Sequence, residues 1–203
     1  MSETLSRRSF LKDTALASTE AFIAGAAPAA AAATQAHAAS PPSTAQPVAL
    51  SLRVNGDVHT LQLAPETTLA EALRGPLGLS GTKIACDRGA CSACTVWLDG
   101  RPVCSCMLLA PDAEGHEITT IEGLARGDAL HPVQAAFIEH DALQCGFCTP
   151  GMVMSCAALL EHTPRPDAEQ VRQALAGHLC RCGSYPHVLE AMLDLARQPR
   201  RQP

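Results

Sequence analysis

The ten cysteines of this 203-residue chain are concentrated, and any fold open to it must gather them. Cys86, Cys91 and Cys94 are spaced C-x4-C-x2-C, with Cys104 and Cys106 a short way on. Cys145 and Cys148 form a C-x2-C, and Cys180 and Cys182 a C-x-C. The first spacing is that of plant-type [2Fe–2S] ligands, which close with a distant fourth cysteine. Gly89, Ala90, Ser92 and Ala93 keep the loop slim, so that thiolates can converge and backbone N–H groups can point at sulfur. The fourth ligand is Cys104 or Cys106. In a regular strand both would face one side, so spacing does not choose between them.

In the second set, Cys145 and Cys148 precede a predicted helix and Cys180 and Cys182 follow another. Antiparallel helices of similar length would bring those ends together, so that four thiolates meet at one end of a bundle. A helix start at Thr149 adds positive potential that favours thiolate. Structural zinc and disulfides are the competing uses of such cysteines. C-x-C is unusual for zinc, and Cys145 and Cys148 lie too near a helix start for easy bridging elsewhere. The spacing therefore favours iron–sulfur.

The N-terminus bears on this choice. Ser6–Lys12 reads SRRSFLK, a twin-arginine export motif. An Ala/Pro-rich stretch without Lys, Arg, Asp or Glu runs from Ala21 to Leu52, too weakly apolar for a membrane span. Ala36-His37-Ala38 is an A-x-A site, so residues 1–38 are expected to be a signal peptide and 39–47 a flexible tether. Disulfides would be the default in an oxidising space. The twin-arginine route exports folded proteins, so metal-ligated thiols would arrive already occupied, in the periplasm. Net charge is −5, which argues against sequence-independent nucleic-acid binding. With only six aromatic residues the core is thin in large side chains, and an internal staple is expected.

Residues 48–122 read as a small mixed sheet with one helix. Val48–Val54 and Val58–Leu63 alternate around Asn55-Gly56, a hairpin signal. Thr67/Thr68 cap a short helix that ends at Gly75. Thr95–Leu98 and Arg101–Cys104 flank Asp99-Gly100 as a second hairpin, and Ile118–Ile121 is a last strand. Residues 123–130 are a linker and 199–203 a tail. Over 131–198 the pattern is helical, with starts at His131-Pro132, Thr149-Pro150, Asp167 and Pro186, so a four-helix bundle is expected. Cys156 sits on an apolar helix face and Trp97 on the sheet, both as packing. His178 and His187 read as ordinary polar residues. Arg181 could offset cluster charge, contact a cofactor phosphate or make a surface ion pair.

The segments KIACDRGACSACTVWLDGRPVCSCM, ITTIEGL, HPVQAAFIEHDALQCGFCTPGM and HLCRCGSYPHV together resemble the iron–sulfur subunit of the xanthine dehydrogenase and aldehyde oxidoreductase family of molybdenum hydroxylases. The likeness is closest to the exported small subunit of periplasmic aldehyde oxidoreductases and covers Val48–Ala196. It implies an α+β chain: a β-grasp, ferredoxin-like [2Fe–2S] domain followed by a helical [2Fe–2S] domain. It implies Cys86, Cys91, Cys94 and Cys106 as ligands of one cluster, because the family's fourth ligand stands in a V-x-S-C pattern. It implies Cys145, Cys148, Cys180 and Cys182 as ligands of the other. Gln144 and Cys182 match positions that touch the pterin of a molybdopterin cofactor, in its cytosine dinucleotide form, held by a large subunit. An FAD-binding medium subunit, or another acceptor, would take the electrons. N-heterocycle hydroxylases of the isoquinoline oxidoreductase type and a free-standing two-cluster carrier are the alternatives. One departure stands out: Ser92 occupies a habitual glycine position.

Overall fold

The computed structural model describes residues 45–198. The predicted signal peptide, residues 39–44 of the tether and the tail lie outside them.

Strands β1 (Val48–Val54) and β2 (Asp57–Leu63) pair antiparallel, with Val54 opposite Asp57. The turn between them needs positive φ twice, and Asn55 and Gly56 supply it at 54° and 89°. Leu50, Leu52 and Val54 alternate into the core. Strands β3 (Thr95–Leu98) and β4 (Arg101–Cys104) form the second hairpin, turned at Asp99 and Gly100 with φ of 50° and 76°. A short strand β5 (Glu117–Thr119) joins the hairpins, parallel to β1 and antiparallel to β3, giving the order β2-β1-β5-β3-β4. It ends before the predicted Ile121. The Asn55 side chain takes the Thr120 N–H at 2.9 Å in place of a strand carbonyl, and Ile121–Gly123 coils into a 3₁₀ turn.

Helix α1 (Leu69–Arg74) starts at a capping box. The Glu71 N–H donates to Thr68 Oγ1 at 3.3 Å, and the Thr68 N–H donates to Glu71 Oε2 at 2.8 Å. Its Leu69 and Leu73 are fully buried beneath the sheet with Leu52, Val96 and Ile118. Each such side chain contributes on the order of 2 kcal/mol of transfer free energy.

The helical half holds α2 (Pro132–Glu139), α3 (Thr149–His162), α4 (Ala168–Leu175) and α5 (Tyr185–Arg197). Val133, Phe137, Met152, Cys156, Val171, Val188 and Met192 form its core, so Cys156 is a packing residue as expected. His131 caps α2: its Nδ1 accepts from the Val133 N–H at 3.2 Å, while its own N–H donates to Gln134 Oε1 at 2.9 Å. The α+β reading, sheet domain first and helical domain second, holds.

The joint between the halves is closer than a linker implies. Leu124 is buried in the helical core. Trp97 packs against that core, not only on its own sheet, and its indole N–H donates to the Met154 carbonyl of α3 at 2.9 Å. Among the described residues no helix is long and apolar enough to cross a membrane.

Candidate metal centres

All ten cysteines are free thiols. The loop after α1 carries Cys86, Cys91 and Cys94, and it turns back on itself through Asp87, Gly89 and Ser92, all at positive φ. Those turns aim backbone amides inward. The Ala90 N–H donates to Cys86 Sγ at 3.3 Å and the Gly89 N–H to Cys106 Sγ at 3.4 Å. The Cys86 thiol neighbours that of Cys91, and Cys94 neighbours Cys106. The Arg88 amide, with the Cys91 thiol, pulls the Cys86 pKa down to about 7. Burial pushes Cys106 up to about 11 and raises Cys94.

Cys104 and Cys106 do not share a strand face. β4 ends at Cys104, and Ser105–Met107 is a 3₁₀ turn, so the two-residue period stops applying there. The turn tucks Cys106 beneath the loop, only 6% exposed, while Cys104 stays half-buried with its Sγ 3.9 Å from Ser92 Oγ. At φ +56° Ser92 occupies a left-handed conformation, which explains why glycine suits this position.

Cys148 immediately precedes α3, and Cys145 opens the exposed loop before it. Cys180 lies on the loop between α4 and α5, next to Cys148. The helices are unequal, 14 residues against 8, so matched lengths do not bring the thiols together as expected. The loop after α4 instead carries Cys180 beside Cys148. Tyr185 clamps that loop: its hydroxyl accepts from the Cys180 N–H at 2.7 Å and donates to the His178 carbonyl at 2.9 Å. Burial is the largest single influence and opposes the Cys180 thiolate, but hydrogen bonding to its sulfur from the Ser184 hydroxyl at 3.3 Å, the Ser184 and Gly183 amides and the Cys148 thiol together outweighs it, and the pKa falls to about 7. Burial, reinforced by Cys180, raises Cys148 to about 12. Of this pair Cys148 is the donor and Cys180 the acceptor. Cys182 and Gln144 are exposed, and no side-chain hydrogen bond holds Cys182 among the described residues.

Ser184 and Tyr185 were not singled out in the sequence, where only their nearness to Cys182 could have marked them. His178 is a buried polar residue. It is 4% exposed, its Nε2 shares a hydrogen bond with Ser155 Oγ at 2.7 Å, and burial lowers its pKa to about 4. His187 is exposed and donates to the His140 carbonyl. Arg181 is exposed and forms no ion pair among the described residues.

Among the described residues no three Cys, His, Asp or Glu side chains crowd one point tightly enough for a single metal ion. Cys86 beside Cys91 and Cys94 beside Cys106, with amides aimed at sulfur, suit a binuclear cluster in which each iron takes two thiolates, and Cys148 beside Cys180 supplies one such pair at the second set. These donors fit the group.

The comparisons with known proteins agree. A 2Fe-2S iron-sulfur cluster binding domain family matches residues 52–124, and a [2Fe-2S] binding domain family matches residues 120–193. The iron-sulfur-binding subunit PaoA of an aldehyde oxidoreductase from Escherichia coli O157:H7 is 44% identical over 162 residues, 72% of this chain and 71% of that one. The small subunit of nicotine 6-hydroxylase from Paenarthrobacter nicotinovorans is 46% identical over 157 residues, covering 77% of this chain and 94% of that one. A chain of quinoline 2-oxidoreductase from Pseudomonas putida 86 superposes with a TM-score of 0.72 at 43% identity, covering 75% of this chain and 94% of that one. This chain therefore belongs to the iron–sulfur subunits of the molybdenum hydroxylase family, electron-transfer components whose substrate chemistry takes place on a partner subunit.

Proposed function

We propose that the chain is the electron-relay subunit of a periplasmic, molybdenum-containing aldehyde oxidoreductase. It passes single electrons from a molybdopterin centre on a large subunit to a flavin-bearing medium subunit, or to another acceptor, within a heterotrimer. Cys86, Cys91, Cys94 and Cys106 hold one [2Fe–2S] cluster, and Cys145, Cys148, Cys180 and Cys182 hold the other. Each cluster, when bound, supplies reversible one-electron storage. The chain's own contribution is to orient thiolates, to aim amides at sulfur and to keep water from the first site by burying Cys91, Cys94 and Cys106.

The observation that carries this reading is two separate sets of unoxidised thiols, each supported by hydrogen bonds to sulfur. Around the second set the surface is apolar and exposed: Leu143 at 39%, Phe147 at 47% and Leu179 at 60%. Such a patch beside Gln144 and Cys182 favours a permanent partner over a free-standing carrier. Gln144 and Cys182 are the residues that would touch the pterin, in its cytosine dinucleotide form. Likeness to nicotine 6-hydroxylase and quinoline 2-oxidoreductase favours a second reading, in which the substrate is an N-heterocycle.

Purification from the native host tests the assembly. The chain should co-elute with a larger molybdenum-bearing subunit, and an aldehyde should bleach its visible absorbance. Elution alone contradicts the assembly, and bleaching by a heterocycle but no aldehyde selects the second reading. Replacing Arg7 and Arg8 with Lys should leave the precursor in the cytoplasm, whereas undiminished export would refute the twin-arginine route.

A further inference from the structure

The two thiol sets meet across a seam that is bare of side chains on one side. Leu179, next to Cys180, donates its N–H to the carbonyl of Cys91 at 3.2 Å. Gly151 is buried in the first turn of α3, three residues beyond Cys148. It faces the backbone of the first-site loop. A Cβ at Gly151 would strike the Ser92 carbonyl oxygen far inside the 3.0 Å that real Cβ atoms keep, and it would stand 3.2 Å from Ala93 Cα. On the other flank, a Cβ at Gly177 would stand 3.2 Å from Ser92 Oγ.

Neither glycine has a positive φ, so the backbone conformation asks for glycine at neither position. A glycine inside a helix costs about 1 kcal/mol relative to alanine, and its placement therefore calls for a spatial reason. Here the reason is close approach. The atom in the way is a backbone carbonyl, already held by the Thr95 N–H at 3.2 Å and the Thr95 hydroxyl at 2.7 Å, which cannot swing aside like the tip of a flexible side chain.

We propose that Gly151 is a positioning residue for electron transfer between the two sites. Its bare Cα lets the start of α3, which carries Cys148, close onto the loop that carries Cys91 and Cys94. That approach sets the spacing across which the electron moves, and Gly177 relieves the same seam from its far side. The step is a single-electron exchange: the second site is oxidised as the first is reduced, with no bond made or broken. The electron originates in the aldehyde or heterocycle oxidised on the partner. The inference rests on the assignment of the thiols to two [2Fe–2S] clusters.

The test uses the complex as purified, with Gly151→Ala and Gly177→Leu compared with the unaltered chain. Three quantities are read: iron and sulfide per chain, the magnetic coupling between the two dithionite-reduced centres by EPR, and the rate of inter-cluster electron transfer. For Gly151→Ala the expected result is unchanged iron, weaker coupling and a rate several-fold lower. Gly177 is exposed, so its variant should keep the fold and show the same two losses to a smaller degree. A fully loaded Gly151→Ala with undiminished coupling and rate overturns the proposal. If Gly151→Ala sheds iron, Gly177→Leu decides by the same criteria. An unaltered chain without iron overturns the assignment of the thiols instead, which is a distinct result.

Discussion

The Gly89 amide donates to the sulfur of Cys106 at 3.4 Å, while Cys104, two residues earlier, lies outside that cradle. The 3₁₀ turn at Ser105–Met107 separates the two thiols: both neighbour Cys94, but the backbone donor, the Gly89 amide, goes to Cys106. Cys106→Ser should therefore remove about half of the bound iron, whereas Cys104→Ser should keep all of it. Metal analysis of the two purified variants checks this. Equal retention in both, or loss in Cys104→Ser alone, would reverse the assignment.

Ser92 holds a left-handed backbone at φ +56°, and its hydroxyl makes only a long contact with Cys104 Sγ at 3.9 Å. A side chain there strains the backbone, and the contact returns little. Ser92→Gly should stabilise the chain by about 1 kcal/mol. A raised urea midpoint with unchanged iron content is the expected outcome.

Tyr185 joins both ends of the second-site loop through one hydroxyl, which accepts from the Cys180 N–H and donates to the His178 carbonyl. Tyr185→Phe keeps the ring and removes both bonds. It should cost about 2 kcal/mol and loosen the segment that carries Cys180. Iron should leave the variant faster in the presence of a chelator, with only the second EPR signal fading. Unaltered release would show that the clamp is irrelevant to metal retention.

His131 accepts the Val133 N–H through Nδ1, which only the neutral ring can do. Burial holds its pKa below the ordinary 6.5. The unfolded chain therefore binds a proton more readily than the folded one. The stability that this cap contributes is fully present above pH 6.5 and is lost as the pH falls through the lower folded value. His131→Ala should cost about 1 kcal/mol at neutral pH. His131→Asn supplies a cap without a titration, so its unfolding midpoint should vary less between pH 7 and the acid range, as read by denaturant melts across that range.

Local chemistry was legible where two or three adjacent residues decide it. Asn55-Gly56 and Asp99-Gly100 fix both hairpins through positive φ, and Thr68 with Glu71 starts α1. Helix starts at His131, Thr149 and Asp167 were equally readable, because caps and first-turn prolines act over a single turn. The neighbourhood of Cys86 with Cys91 and of Cys148 with Cys180 followed the spacing. What escaped is long-range and aperiodic. Trp97 reaches Met154, 57 residues away, and nothing in a strand pattern announces which helix it will meet. Gly151 reads as an ordinary residue after Thr149-Pro150 until Ser92 is seen against it. The end of β5 depended on an amide of Asn55, 65 residues earlier in the chain. The choice between Cys104 and Cys106 depended on a strand ending one residue too soon for a two-residue period to apply.

The central claim is that these thiols hold two binuclear iron clusters, and elemental analysis of the purified chain reaches it most directly. The account predicts a red-brown protein with about four iron and four sulfide per chain and two distinct paramagnetic signals on reduction. A colourless protein carrying stoichiometric zinc, or one whose cysteines are recovered as disulfides without metal, would contradict it.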